Sequence, residues 1–130
     1  MSEHVELIRS TYEGDAEANG HKLRAALAPD AVWIEAAGFP YAGTYIGPEA
    51  IFAGVHQRLG QEWENYRALP HDYYDAGEHI IVTGTYRGRY RLTGRSFEAE
   101  FAHIYTVRSG KIVRFEQYVD SRKVWQAIEN

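Results

Sequence analysis

The chain has 130 residues, no cysteine and a formal charge of −4. That length suits one domain rather than two, and without thiols the fold must rest on burial alone, with no disulfide or thiolate chemistry. Fourteen Lys and Arg against 18 acids leave no phosphate-binding surface, so no nucleic-acid partner is expected.

The opening MSEHVELIRS carries charges where a secretion signal needs an apolar run, and no stretch approaches the ~20 apolar residues of a membrane span. The expectation is a soluble, cytoplasmic protein. Val5, Leu7, Ile8 and Tyr12 recur at helical spacing between Ser2, a cap, and Gly14, a stop, which predicts a helix over 3–13. A second helix is expected from Glu17 or Gly20 to Leu27, ended by Pro29-Asp30. Ala31 to Glu35 reads as a strand with Ala31, Trp33 and Glu35 on one face.

After a Gly- and aromatic-rich loop over 36–45, Gly47-Pro48-Glu49 opens a third helix. Its buried stripe is Ile51, Phe52, Val55 and Leu59, and His56 lies beside that stripe as a helix-surface histidine. Strands are then predicted over 63–69, 73–74, 79–90, 96–107 and 111–120, followed by a terminal helical turn over 122–128. Helices first and strands after them imply an α+β domain, with helices on one face of a mostly antiparallel, curved sheet. Arg87, Arg89, Arg91 and Arg95 alternate as one solvated strand face would.

The last two long strands meet at Ser109-Gly110, a hairpin turn pair. Alternation places Phe97, Ala99, Phe101, His103 and Tyr105 on one face of the first arm. On the second arm Val113, Phe115, Gln117 and Val119 share a face, with Ile112, Arg114, Glu116, Tyr118 and Asp120 opposite. One histidine and one glutamine interrupt an otherwise apolar face. Such a face suits the wall of a ligand pocket, or equally a core whose polar members are hydrogen-bonded. With ten Tyr, three Trp and five Phe, the chain either lines a concave apolar site or packs a strongly bent sheet.

Three blocks carry a family resemblance: LAPDAVWIEA at 27–36, GPEAIFAGV at 47–55 and AHIYTVRSGKIVRFEQYVD at 102–120. In that order they resemble the SnoaL-like, ketosteroid-isomerase-related proteins of the cone-shaped superfamily named after nuclear transport factor 2. The resemblance covers nearly the whole chain as a single domain, 1–130. It implies three N-terminal helices closing one end of a strongly bent sheet around a deep cavity, and a homodimer. It also implies a proton-moving carboxylate at Glu35 and an oxyanion-hole partner at His103, with Tyr12 the nearest match to that hole's tyrosine on the first helix. The limonene-epoxide-hydrolase branch has an acid where this chain has Gln117, and an Arg-x-Asp pair is missing from 79–90, so epoxide hydrolysis is disfavoured.

A Glu and a His on opposite walls of an apolar cavity could shuttle a proton beside a carbonyl without a cofactor, and would give a bell-shaped pH–rate profile. Trp33, Tyr45, Phe52, Phe101 and Phe115, with Tyr12 and Gln117, are the expected ligand-contacting wall. The six histidines show neither i, i+4 pairing nor cysteine partners, so no metal site is expected. No Gly-x-Ser-x-Gly elbow or phosphate-cradling glycine loop occurs. Three readings stay open: an isomerase-, cyclase- or lyase-type enzyme acting on a small, largely apolar molecule, a binding domain using the same cavity without chemistry, and a structural dimer.

Overall fold

The computed structural model describes residues 2–129. Helix α1 spans Glu3–Arg9 and α2 spans Ala16–Ala26. Strands β1 (Leu27–Glu35) and β2 (Gly43–Ile46) follow. Next comes one helical rod made of α3 (Pro48–Ile51), a π-helical turn (Phe52–His56) and α4 (Gln57–Glu62). Strands β3 (Trp63–Ala76), β4 (His79–Tyr90), β5 (Ser96–Arg108) and β6 (Lys111–Val119) complete one sheet, and α5 (Ser121–Ile128) ends the chain. The sheet order is β2-β1-β6-β5-β4-β3, antiparallel except where β1 runs parallel to β6. This is the expected α+β layout: helical segments cover one face of a strongly curved, open sheet.

Both N-terminal helices start on the caps that their sequences offer. Ser2 Oγ accepts from Val5 N, and Asp15 accepts from Ala18 N, each satisfying a donor that the first turn leaves free. Helix α1 ends at Arg9, earlier than predicted, so Tyr12 sits in the turn beyond it. Asn19 holds that turn, donating to Tyr12 O at 3.0 Å while accepting from Gly14 N at 2.8 Å.

The rod begins at Gly47, whose φ of 87° precedes Pro48 in the first turn. A Cβ on Gly54 would lie 2.2 Å from the Tyr45 ring, so only a glycine lets that ring approach the helix backbone so closely.

Curvature comes from irregularities in the sheet. β3 is an edge strand broken by two register shifts, between Glu64 and Arg67 and between Pro70 and Asp72. Asn65 takes a left-handed φ of 53° at the first, and Pro70, lacking an N–H, is tolerated at the second because it lies on the edge. Across from it Gly84 packs so closely that a Cβ would meet Leu69 O at 2.3 Å.

The β5–β6 hairpin closes as predicted, through Ser109 and Gly110 at φ 51° and 73°. Trp33 and Phe115 are neighbours across the parallel pair, and their rings stack at 3.7 Å, worth about 1 kcal/mol beyond burial.

Five expectations need correction. β2 is a strand where a loop was expected; three of its four residues are exposed, so no buried alternation marked it. β1 starts at Leu27, carrying the chain through Pro29-Asp30 in extended form, and the predicted 63–69 and 73–74 strands are one bulged strand. Ile112 is buried rather than on the outer face, because a register shift between Thr106 and Val107 turns it inward, while Val113 is only partly buried. His56 is not a surface residue. Its ring lies against Trp33 of β1 and Phe52 of its own helical turn.

Candidate functional site

The concave face of the sheet and the helical segments border an open cavity of about 690 Å³, within the range of small-molecule sites. Trp33, Phe52, Val55, Leu23 and Phe115 give it apolar walls, and Glu35, His56, His103, Tyr66, Tyr86 and Gln117 place polar groups along them. The lining residues Gln57, Gly60, Asn65, Arg67 and Arg91 are exposed and mark its mouth. Of the expected wall, Tyr12, Trp33, Phe52, Phe115 and Gln117 line the cavity, as do Glu35 and His103. Tyr45 and Phe101 do not: Tyr45 donates to Tyr41 O at 2.8 Å, and Phe101 stacks on His103 at 4.1 Å.

Strand pairing assembles the polar groups. His103 and Gln117 are register partners across β5 and β6, as are Tyr105 and Phe115. Gln117 Oε1 accepts from Ala36 N at 3.0 Å, which fixes the amide so that its nitrogen donates to Tyr86 Oη at 2.9 Å. Tyr86 Oη in turn is bonded to His103 Nε2, Tyr12 Oη lies 2.5 Å from His103 Nδ1, and Tyr105 Oη lies 2.6 Å from Tyr12 Oη.

One direction of donation gives each of these protons an acceptor up to Tyr105. Tyr86, already accepting from Gln117, donates to Nε2; His103 donates from Nδ1 to Tyr12; and Tyr12 donates to Tyr105. His103 is thereby a neutral Nδ1–H imidazole with both nitrogens committed. Burial holds its pKa down to about 3, with neighbouring His56 adding to the shift. Burial also raises the Tyr12 and Tyr86 hydroxyls well above the usual phenol value.

Glu35 ends β1 at the cavity wall. Only 4% of it is exposed, and its carboxylate oxygen accepts from the Trp33 indole N–H at 3.2 Å. Desolvation pushes its pKa up to about 8, and the Trp33 bond only partly offsets this. The carboxyl is therefore mostly protonated at neutral pH, poised to gain or lose a proton within the working range.

His56 and Tyr66 were not singled out for the site. Burial lowers His56 to about 4, the Ile51 carbonyl drawing it partly back, yet no hydrogen bond of good geometry reaches Nδ1. The Tyr66 hydroxyl is buried and also lacks a partner within the protein. In sequence, His56 offered one signal, its place beside an apolar stripe. Tyr66 offered none beyond its aromaticity.

No grouping of three His, Asp or Glu side chains suited to a metal ion occurs among the described residues. No described helix is long and apolar enough to cross a membrane. The clustered arginines are exposed, with Arg87 on Glu98 at 2.8 Å and Arg89 on Glu64 at 3.5 Å.

Comparison with known proteins agrees with this architecture. The model of the SnoaL-like domain matches residues 8–115, and the chain belongs to that family. A nuclear transport factor 2-like protein from Burkholderia thailandensis has 39% identity and a TM-score of 0.93, with both chains covered in full. One of unknown function from Burkholderia pseudomallei has 28% identity and a TM-score of 0.89, again over the whole of both chains. TerC, co-crystallised with polyporic acid, has 24% identity and a TM-score of 0.86, over 99% of this chain and 100% of its own. No curated protein matches the sequence.

Proposed function

We propose that the protein binds a small, largely apolar organic molecule in its cavity and moves a proton on it without a cofactor, as an isomerase, cyclase or lyase does, with Glu35 as the base. The observation that carries this reading is the Glu35 carboxyl itself, buried among aromatics, served by one indole N–H and raised to about 8. A group so placed is costly to a merely structural wall and useful to proton transfer. TerC, a protein of the same fold, was crystallised with polyporic acid, which supports a small organic occupant.

His103 acts here as a neutral anchor. It holds the Tyr12 and Tyr86 hydroxyls in place and leaves stabilisation of a developing oxyanion to hydroxyl donors at the wall. The test is turnover of whatever molecule co-purifies. Glu35→Gln should bind it with near wild-type affinity and convert it at least a hundredfold more slowly; normal turnover in this variant rules Glu35 out as the base.

A second reading, binding without chemistry, is favoured by the full commitment of both His103 nitrogens. A ligand recovered unchanged after long incubation with wild-type protein would select it. A homodimer through the outer sheet face also belongs to the proposal. Ile46 and Tyr118 are 62% and 56% exposed there, and Tyr118→Glu should shift a dimer to monomer in sedimentation velocity.

A further inference from the structure

Gln117, Tyr86, His103, Tyr12 and Tyr105 form one hydrogen-bonded row along the cavity wall, bonded in that order. One end is fixed in sense. Gln117 Nε2 can only donate to Tyr86, because Oε1 of the same amide is held by Ala36 N. The rest is not fixed, since a neutral imidazole has one N–H and can turn it to either tyrosine.

With the proton on Nδ1, Tyr86 donates to Nε2, and the last O–H of the row emerges at Tyr105. There the Thr11 side chain is close enough to act on the Tyr105 hydroxyl, while Thr11 Oγ1 donates onward to Ile8 O at 2.7 Å. With the proton on Nε2 the sense reverses. His103 donates to Tyr86, Tyr12 donates to Nδ1 and Tyr105 donates to Tyr12. Tyr86 then accepts from Gln117 and His103 together, and its own O–H finds no acceptor among the residues bonded to it.

We propose that a ligand oxygen seated beside Tyr86 reverses this row: Tyr86 becomes the donor to that oxygen, and His103 changes from the Nδ1–H to the Nε2–H tautomer. Each residue carries one proton in both senses. The hydroxyls rotate and the imidazole proton changes nitrogen, so nothing is added or removed. The new bond at Tyr86 replaces the contact given up at Tyr105. A hydroxyl that accepts two hydrogen bonds is polarised toward giving its own, and the Glu35 charge acts on Tyr86, so donor and base serve one end of the cavity. Tyr12, the tyrosine that the family resemblance put in this role, spends its proton inside the row in either sense. His103 is a positioning residue. The proposal rests on the cavity being the binding site, but not on Glu35 being the base.

Two probes of nearly one shape test it at about pH 6, where Glu35, His56 and His103 are mostly uncharged. 2-Acetylnaphthalene offers a carbonyl oxygen and 2-isopropenylnaphthalene offers none. Nitrogen-15 NMR of the His103 ring should show Nε2–H with the ketone bound and Nδ1–H with the hydrocarbon bound. In fluorescence titrations Tyr86→Phe should weaken the ketone about tenfold, the value of one buried hydrogen bond, and leave the hydrocarbon unchanged. Tyr12→Phe should keep the ketone's advantage. A bound ketone that leaves wild-type His103 as Nδ1–H, or an advantage lost in Tyr12→Phe and kept in Tyr86→Phe, overturns the proposal. Failure of both probes to bind overturns the cavity as the site, and the proposal with it. The tautomer change should persist in Glu35→Gln, so a failed base assignment shows in turnover alone.

Discussion

The Tyr12 hydroxyl meets His103 Nδ1 at 2.5 Å across 91 positions of sequence, so the turn after the first helix is fastened to the middle of the sheet by one buried hydrogen bond. Removing the imidazole leaves the Tyr86 proton without its acceptor, while Tyr12 keeps Tyr105 and Tyr86 still accepts from Gln117. His103→Phe should therefore lower stability by about 1–3 kcal/mol in urea denaturation, the cost of one buried group left without its partner. A loss below about 0.5 kcal/mol would mean that the hydroxyls find other partners.

Gln117 sets the direction of the chain of hydrogen bonds because its amide nitrogen can only donate to Tyr86. A carboxylate in its place accepts instead, so in Gln117→Glu the Tyr86 proton should turn toward position 117 and His103 should donate from Nε2. Nitrogen-15 NMR of the His103 ring checks this directly. The protonated nitrogen should be Nδ1 in wild type and Nε2 in the variant, and an unchanged tautomer would contradict the assigned direction.

Stability should peak near pH 6.5. Glu35 keeps a proton up to about 8 when folded but releases it near 4.5 when unfolded, so its contribution declines as pH rises between those values. His56 and His103 stay neutral down to about 4 and about 3 when folded, whereas the unfolded chain protonates them near 6.5. Their contribution is therefore lost as pH falls below 6.5. The two histidines outweigh the one carboxyl on the acid side, and above 6.5 Glu35 alone gives a fall of about 1.4 kcal/mol per pH unit. Urea midpoints against pH should show this, and Glu35→Gln should flatten the alkaline limb and steepen the acid limb between pH 4.5 and 6.5, where the carboxyl no longer opposes the two histidines.

The pH–rate profile follows from the same groups. With His103 held near 3 it cannot supply the second limb of a bell in the neutral range. If Glu35 must be ionised to accept a proton, kcat/KM should rise along one limb with a midpoint near 8. A limb falling through that value would instead assign Glu35 as a proton donor.

Gly84→Ala should be strongly destabilising, by about 2–3 kcal/mol, because the new methyl would meet Leu69 O at 2.3 Å and Phe101 Cζ at 2.6 Å. Gly77→Ala, where a Cβ meets nothing within 4 Å but φ is +77°, should lose only about 1 kcal/mol. Thermal melts of the two variants side by side would expose an inverted order.

The hairpin was legible in the sequence because alternation and a Ser-Gly turn act over a few residues. They were enough to put His103, Phe115 and Gln117 on one face and Trp33 beside Glu35. What stayed hidden depended on distant packing or on single inserted residues. The bulge between Thr106 and Val107 left no mark in the hydrophobic pattern, so Ile112 was placed on the wrong face. His56 looked superficial because its own helix cannot show that Trp33, more than twenty residues earlier, covers it. The tyrosine partners of His103 come from a turn and from β4, and no local pattern links them.

The protonated Glu35 and the two neutral histidines have a joint consequence for what can enter. Between about pH 5 and pH 7 Glu35, His56 and His103 are all mostly uncharged, and the field they set in the cavity arises from hydroxyl, amide, imidazole, carboxyl and indole dipoles. An ion arriving there would shed its hydration shell with no counter-charge to replace it. A weak acid must therefore be bound in its protonated form, so that its uptake draws a proton from solvent and its apparent affinity falls as pH rises above its own pKa.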